Sequence, residues 1–304
     1  MNAQSLSARL ARSPILIAPG VYDALTALIA ERAGFEALYV SGAGIAYTRL
    51  GRPDIGLVGM SEVVQTVGLI RDRVGIPLIV DADTGYGNAL NVQRTVRLLE
   101  RAGASAIQIE DQDFPKRCGH LDDKALVSAD DMAGKIKAAV DARTSSGTLI
   151  IARTDAVAVE GFERALARVE LYREAGADVL FVEAPRLHDE LGRITQRLGK
   201  DAAKPMPLMV NMVEGGKTPM LPAEELEALG FSLVIFPGAI VRTLAKAAED
   251  FYTSLKARSS TEPFRARMFD FDALNRLIGT PEMLEHGKRY AGSEPRSGRT
   301  SERR

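Results

Sequence analysis

The chain has 304 residues, with 39 Lys and Arg against 40 Asp and Glu and a pI near 6.4. This length suits one large α/β domain or two ordinary ones, and the charge balance offers no electrostatic footprint for nucleic acid or an anionic membrane. A single cysteine rules out an intramolecular disulfide framework, as suits a reducing cytoplasm, and no apolar run approaches the roughly 20 residues of a spanning helix.

In chain order, the opening MNAQSLSARLARSP lacks the long apolar core of a secretory signal and reads as a short amphipathic helix. Eight short apolar runs follow: ILIAPG (15–20), ALYVSG (37–42), PLIVDAD (77–83), AIQIED (106–111), TLIIARTD (148–155), VLFVEAP (179–185), PLMVNM (207–212) and LVIFPG (233–238). They are rich in Val, Ile and Leu without strict alternation, the pattern of strands buried on both faces. Segments between them carry helical spacing, as in VQRTVRLLERAGA (92–104), FERALARVELYREAGA (162–177) and AEELEALGF (223–231). In each, a glycine stands where a helix stops in a left-handed residue.

Strand then helix, eight times over, predicts a (β/α)8 TIM-type barrel spanning residues 1–255. A doubly wound sheet competes, but it usually has fewer strands, and no G-x-G-x-x-G opens a helix after the first one. From residue 239 the pattern turns helical beyond what an eighth helix needs. The extension at 256–291 is expected to pack on the barrel or on a neighbouring subunit, and the polar stretch 292–304 to be disordered.

Position is what makes the polar residues informative. The strands end in Ser41-Gly42, Asp81 and Asp83, Glu110 and Asp111, Arg153 and Asp155, Glu183, and Asn211. Any one such residue is ordinarily a cap or turn former, but successive strands ending this way mark the end of a barrel where active sites are built. In VDADTGYGN (80–88), two carboxylates at i and i+2 lie on one face of an extended chain, roughly 6–7 Å apart. With Glu110 they make a hard oxygen site suited to Mg²⁺, or to Mn²⁺ in its place; zinc is disfavoured because no histidines cluster nearby. The alternative is that Asp81 and Asp83 bond backbone amides in a glycine-rich turn.

The loop at 112–127 is long for this architecture and suits a lid. It carries PKRCGH (115–120) and with it the only cysteine. Lys116 and Arg117 are expected to favour the thiolate of an exposed Cys118 and to attract a carboxylate substrate. Cys118 reads as a nucleophile, an acid/base or a redox sensor.

EDQDFPKRCGH (110–120), together with VDADTGYGN, ARTDAVAVEG (152–161), YVSGAG (39–44) and GRPDIG (51–56), resembles the isocitrate lyase/phosphoenolpyruvate mutase superfamily over residues 10–255. The cysteine motif is similar to that of its carbon–carbon lyase branch. The resemblance implies Asp83 as the direct Mg²⁺ ligand, with Asp54, Asp81 and Glu110 holding the ion's water shell. It implies that Ser41, Gly42 and Ala43 hold the α-keto-acid part of the ligand, that Tyr39 borders that pocket, and that Arg153 clamps a carboxylate. Gly119, His120, Glu183 and Asn211 would line the pocket of the other product. It also implies a homotetramer whose last barrel helix is exchanged between subunits.

Retro-aldol cleavage of a 2-hydroxy carboxylate is then the expected reaction, with Cys118 as general acid on a closing loop. The base that takes the hydroxyl proton stays open between Tyr39, Asp54 and a metal-bound water. The pattern around 106–161 resembles methylisocitrate lyases, whereas VEAP (182–185) and NMVEGGKTP (211–219) resemble 2-alkylmalate and dimethylmalate lyases. Both point to a 2-hydroxy-2-methyl di- or tricarboxylate that yields pyruvate. An oxaloacetate hydrolase or decarboxylase, a phosphonate-processing enzyme and a non-catalytic keto-acid-binding barrel are the alternatives.

Overall fold

In the computed structural model, which describes residues 3–121, 123–200 and 202–290, eight parallel strands close into a barrel in sequence order. The strands are β1 (Leu16–Val21), β2 (Leu38–Val40), β3 (Leu78–Asp81), β4 (Ala106–Glu110), β5 (Leu149–Thr154), β6 (Val179–Val182), β7 (Leu208–Asn211) and β8 (Leu233–Phe236). Each falls on one of the eight apolar runs, β1 extending one residue past its run to Val21, and β8 closes the ring on β1 by pairing Leu233 with Leu16.

The helices are α1 (Ala3–Leu10), α2 (Ala24–Arg32), α3 (Gly42–Ile45), α4 (Met60–Arg73), α5 (Ala89–Ala102), α6 (Ala129–Ala142), α7 (Phe162–Glu174), α8 (His188–Leu198), α9 (Ala223–Leu229), α10 (Ala239–Arg258), α11 (Phe271–Ile278) and α12 (Thr280–Lys288). A π-helical turn, Ala46–Leu50, continues α3. α5 shows why these segments are helical. Asn88 caps it by accepting from the Leu90 and Asn91 amides, Val92, Val96 and Leu99 bury one face, and Gly103 at φ 103° ends it. Leu99→Ala there would cost about 2–5 kcal/mol in lost burial and cavity formation.

Alternation along each strand separates two apolar clusters. Leu38, Val40, Leu78, Val80, Ile107 and Ile109 face the helices. Leu16, Tyr39, Ile79, Ala106, Ile151, Phe181 and Ile235 fill the barrel. Both sets are buried, which is why the strands read as continuous apolar runs. Leu6 and Leu10 of α1 belong to the interior cluster, so the amphipathic opening helix plugs the barrel near its strand starts.

The chain divides into two compact units, Met1–Leu244 and Ala245–Arg304. The division falls inside α10, whereas the sequence places it at 255, near that helix's end. In the second unit Phe251 packs edge-on to Tyr252 and Phe264, while Tyr252, Phe269, Phe271, Met283, Leu284 and Tyr290 are exposed. The stretch 292–304 lies outside the described residues. Among the described residues no helix is long and apolar enough to cross a membrane.

Candidate active site

The inward phase of each strand continues past its C-terminal end. Tyr39 leads to Ser41, Ile79 to Asp81 and Asp83, Gln108 to Glu110, Ile151 to Arg153 and Asp155, Phe181 to Glu183, and Met209 to Asn211. Every one of these polar residues is buried. Ser41, Asp81, Arg153, Glu183 and Asn211 line a cavity of about 60 Å³ together with Asp54, Cys118 and His120, and Asp83 lines a second cavity with Lys116.

One side of the mouth is acidic. Asp81 Oδ1 accepts from the Asp83 amide (3.1 Å) and from Gln108 Nε2 (3.2 Å), and Gln108 Oε1 accepts from the Tyr39 hydroxyl (2.8 Å). Asp83, at φ 48°, projects beside it. Gly42 stands close by: a Cβ there would meet Asp81 Oδ2 at 3.2 Å and Asp83 Oδ1 at 3.5 Å. Ser41 Oγ accepts from the Gly44 amide (3.1 Å) and caps α3, and Ala43 lines the cavity. Burial, with the Asp81 and Asp54 charges, pushes Asp83 up to about 7 against the pull of Lys116. Burial likewise raises Glu110 well above the usual carboxylate range, against Arg153.

These acids fit a hard divalent cation. Glu110 Oε1 is buried without a hydrogen-bond partner, and Asp83 Oδ1, although 2.6 Å from Lys116 Nζ, accepts no well-formed hydrogen bond. Among the described residues no three acidic, histidine or cysteine groups converge to hold a metal unaided. Mg²⁺ keeps several waters and takes only one or two carboxylates directly. The glycine-rich-turn alternative describes Asp81, which does bond a backbone amide, but not Asp83.

The other side carries more cationic partners, although His120 Nε2 and Asn211 Oδ1 are buried without a well-formed hydrogen bond. Arg153 donates through Nε (2.9 Å) and Nη2 (3.1 Å) to the two oxygens of Asp155, and its Nη1 lies 3.1 Å from Glu110. Its guanidinium also stands over the Phe181 ring at 5.5 Å. Asn211 Nδ2 donates to Glu183 (3.3 Å), and His120 Nε2 lies 3.0 Å from Glu183 Oε1. His120 Nδ1 accepts from the Lys217 amide (3.0 Å), so the ring proton faces Glu183. Although both are fully buried, Asp155 and Glu183 are held below the usual carboxylate range by Arg153, aided by Lys124 and His120 respectively.

The loop between β4 and α6 closes over this mouth. Gln112 pins the Arg117 backbone at both ends, donating to its carbonyl (2.8 Å) and accepting from its amide (2.8 Å). The Cys118 amide bonds the Asp54 carbonyl (3.1 Å). At Gly119 a Cβ would lie 2.5 Å from Arg153 Nη2 and 2.6 Å from Glu183 Cγ, so only glycine fits.

Three expectations need correction. Cys118 is partly buried rather than exposed. Lys116 points away from it into the acidic cluster, paired with Asp54 and Asp83, and Arg117 points outward to Asp123. Burial therefore raises the Cys118 thiol, aided by Asp54 and Glu183; the opposing influences are the His120 backbone and Arg153, not the flanking cations. Tyr39 is fully buried, and burial with the Asp81 charge raises its phenol well above the ordinary value. It is a donor to Gln108, not a base.

Four neighbours of the site escaped the sequence reading. Tyr47 and Arg242 line the cavity, and nothing in AYTRLG or AIVRT announces it. Gln108 was visible as a polar residue two before Glu110, and Lys124 as a lysine late in the lid.

Comparison with known proteins comes down on one family. Residues 6–256 match the family model described as phosphoenolpyruvate phosphomutase. The chain is 43% identical over 290 residues to a 2,3-dimethylmalate lyase of Eubacterium barkeri, covering 95% of this chain and 98% of the relative. It is 47% identical over 265 residues to a 2-methylisocitrate lyase of Aeropyrum pernix, covering 87% and 83%. A crystal structure of a 2,3-dimethylmalate lyase superposes with a TM-score of 0.89 at 36% identity, covering 97% of each chain.

Proposed function

The chain belongs to the phosphoenolpyruvate mutase/isocitrate lyase superfamily, and from that premise we propose that it is a carbon–carbon lyase. Its substrate is a 2-hydroxy-2-methyl di- or tricarboxylate of the 2,3-dimethylmalate or 2-methylisocitrate type, cleaved to pyruvate and a second carboxylate. The names of its relatives support this reaction class. The observation that carries it is the meeting of an acidic cluster, a buried arginine and a thiol around one cavity.

Asp83, with Asp54, Asp81 and Glu110, is the set that would hold Mg²⁺ or Mn²⁺. When bound, the ion supplies Lewis-acid stabilisation of charge on the oxygens of the nascent keto acid. The Ser41–Ala43 segment holds the pyruvate end. Arg153, locked by Asp155, presents a planar donor array to a substrate carboxylate. With Tyr39 committed to Gln108, Asp54 is the protein group on that wall placed to accept the hydroxyl proton. As the carbon–carbon bond breaks, its electron pair stays on the departing carboxylate fragment, and the Cys118 thiol protonates that carbon. The raised thiol pKa suits this role, because a general acid must arrive protonated. The closed loop keeps water from the carbanion.

The same reading includes a cytoplasmic homotetramer with α10 exchanged between copies. It is supported by the single free thiol and the exposed apolar side chains of the second unit; elution at four times the chain mass would test it. The functional test is pyruvate release with Mg²⁺ from 2,3-dimethylmalate, 2-methylisocitrate and oxaloacetate, each with wild type and Cys118→Ser. Pyruvate from a hydroxy acid, lost in the variant, supports a cysteine-dependent lyase. Turnover of oxaloacetate alone, or activity indifferent to Cys118, sinks it.

A further inference from the structure

Lys124 sits on the surface-crossing lid, yet its side chain is only 1% exposed. Lysines are almost never buried this fully unless paired. Its ammonium donates to the Gly119 carbonyl and, at 3.0 Å, to Asp155 Oδ1. Gly119 is the middle residue of the Cys118–Gly119–His120 turn and is pressed against Arg153 and Glu183. Asp155 is itself fixed from behind, since its amide donates to Asp111 Oδ1 (2.9 Å), and it already holds Arg153 through both carboxylate oxygens. Asp111 is fixed in turn by the Thr154 hydroxyl (2.6 Å) and the Tyr172 hydroxyl (2.8 Å).

Arg153 and Lys124 both hold Asp155 low, but Arg153 does so without touching the lid's backbone. What Lys124 adds is a tether, in which one ammonium joins the lid's reactive turn to the carboxylate that orients the arginine. We infer that Lys124 is a positioning residue, which latches the Cys118–Gly119–His120 turn onto Asp155 and so sets the thiol's place relative to the Arg153 guanidinium. It acts through Gly119 and Asp155 and does not line the cavity. The other attachments of the turn are the Cys118 amide to Asp54 and His120 to Lys217 and Glu183. Neither of them reaches the Gly119 carbonyl, which Lys124 alone among the described side chains holds.

Cys118 is the only thiol, so its alkylation reports on the loop without turnover, metal or knowledge of the substrate. The test is the pH-independent limiting rate of Cys118 labelling by iodoacetamide in wild type, Lys124→Met and Lys124→Gln. Using the limiting rate removes any effect of the lost charge on thiolate fraction. Lys124→Met should label faster by roughly 10- to 100-fold, the weight of one charge-assisted hydrogen bond expressed as an equilibrium. Lys124→Gln, which keeps a donor for Gly119, should fall between. Both should keep a cooperative unfolding transition, and kcat on a cleaved substrate should fall with little change in KM, since Arg153 remains locked by Asp155. Labelling within about twofold of wild type in both folded variants would overturn the latch. Failure of both to fold would overturn it too, because the lysine would then be holding the barrel rather than the loop.

Discussion

Two sets of buried carboxylates face each other across one mouth, and the protein treats them oppositely. Asp155 and Glu183 are fully enclosed, yet both are held below the usual carboxylate range. Asp83 and Glu110 are as deeply enclosed and are pushed above it. Burial alone cannot explain the split, since it raises all four. The difference is in partners. Asp155 has two bonds from Arg153 and one from Lys124, and Glu183 has His120 and Asn211. On the other side Asp54 and Asp83 share the one ammonium of Lys116, and Glu110 has only the Nη1 of the same Arg153, with its Oε1 unpartnered. One side is electrostatically complete as protein; the other is short of positive charge, which a divalent ion supplies.

The largest effect should come from the incomplete side. Asp83→Asn, or chelation of the wild type, is expected to lower kcat by about three orders of magnitude, the several kcal/mol that a Lewis acid contributes. Mg²⁺ should raise the thermal midpoint of the wild type and leave that of the variant unmoved. Next is the shared arginine. Arg153→Lys keeps the charge but loses the planar fork, and kcat/KM should fall roughly 100-fold.

The complete side should fail as a structure. Asp155→Asn removes one partner of a buried pair and should cost about 3–5 kcal/mol in urea unfolding. Because the folded pKa of Asp155 is depressed, its contribution is fully present above the ordinary carboxylate pKa and is lost as pH falls through the folded value. Wild type should therefore lose stability on acidification below about pH 4, with a shallower slope in Asp155→Asn. The smallest effect is at Arg117. Its side chain is 43% exposed beside an 85% exposed Asp123, so Arg117→Ala should change stability by no more than about 0.5 kcal/mol and leave kcat nearly unchanged.

That last contrast shows where sequence is readable and where it is not. The barrel was legible because burial on both faces leaves its mark along every strand, and the polar strand ends follow from the same two-residue period. Asp81, Asp83, Glu110, Arg153 and Glu183 could be placed on one mouth from spacing alone. The lid obeys no period. Lys116, Arg117 and Cys118 are consecutive, but Gln112 grips the Arg117 backbone and turns its side chain out, while Lys116 reaches back to Asp54 and Asp83. Sequence adjacency to two cations therefore gave the wrong direction for the thiol. Lys124 was overlooked for the same reason, since its partner Asp155 is 31 residues away and adjacent only in the folded barrel.

The most direct measurement is the cleavage of 2,3-dimethylmalate in D₂O by wild type and by Cys118→Ala, following the carboxylate product by mass and NMR. A lyase with Cys118 as general acid delivers one deuterium to the cleaved carbon in a single configuration. Its Cys118→Ala variant should be slower by roughly 10²- to 10⁴-fold. Undiminished cleavage by the variant, or deuterium in both configurations from the wild type, would contradict protonation by Cys118.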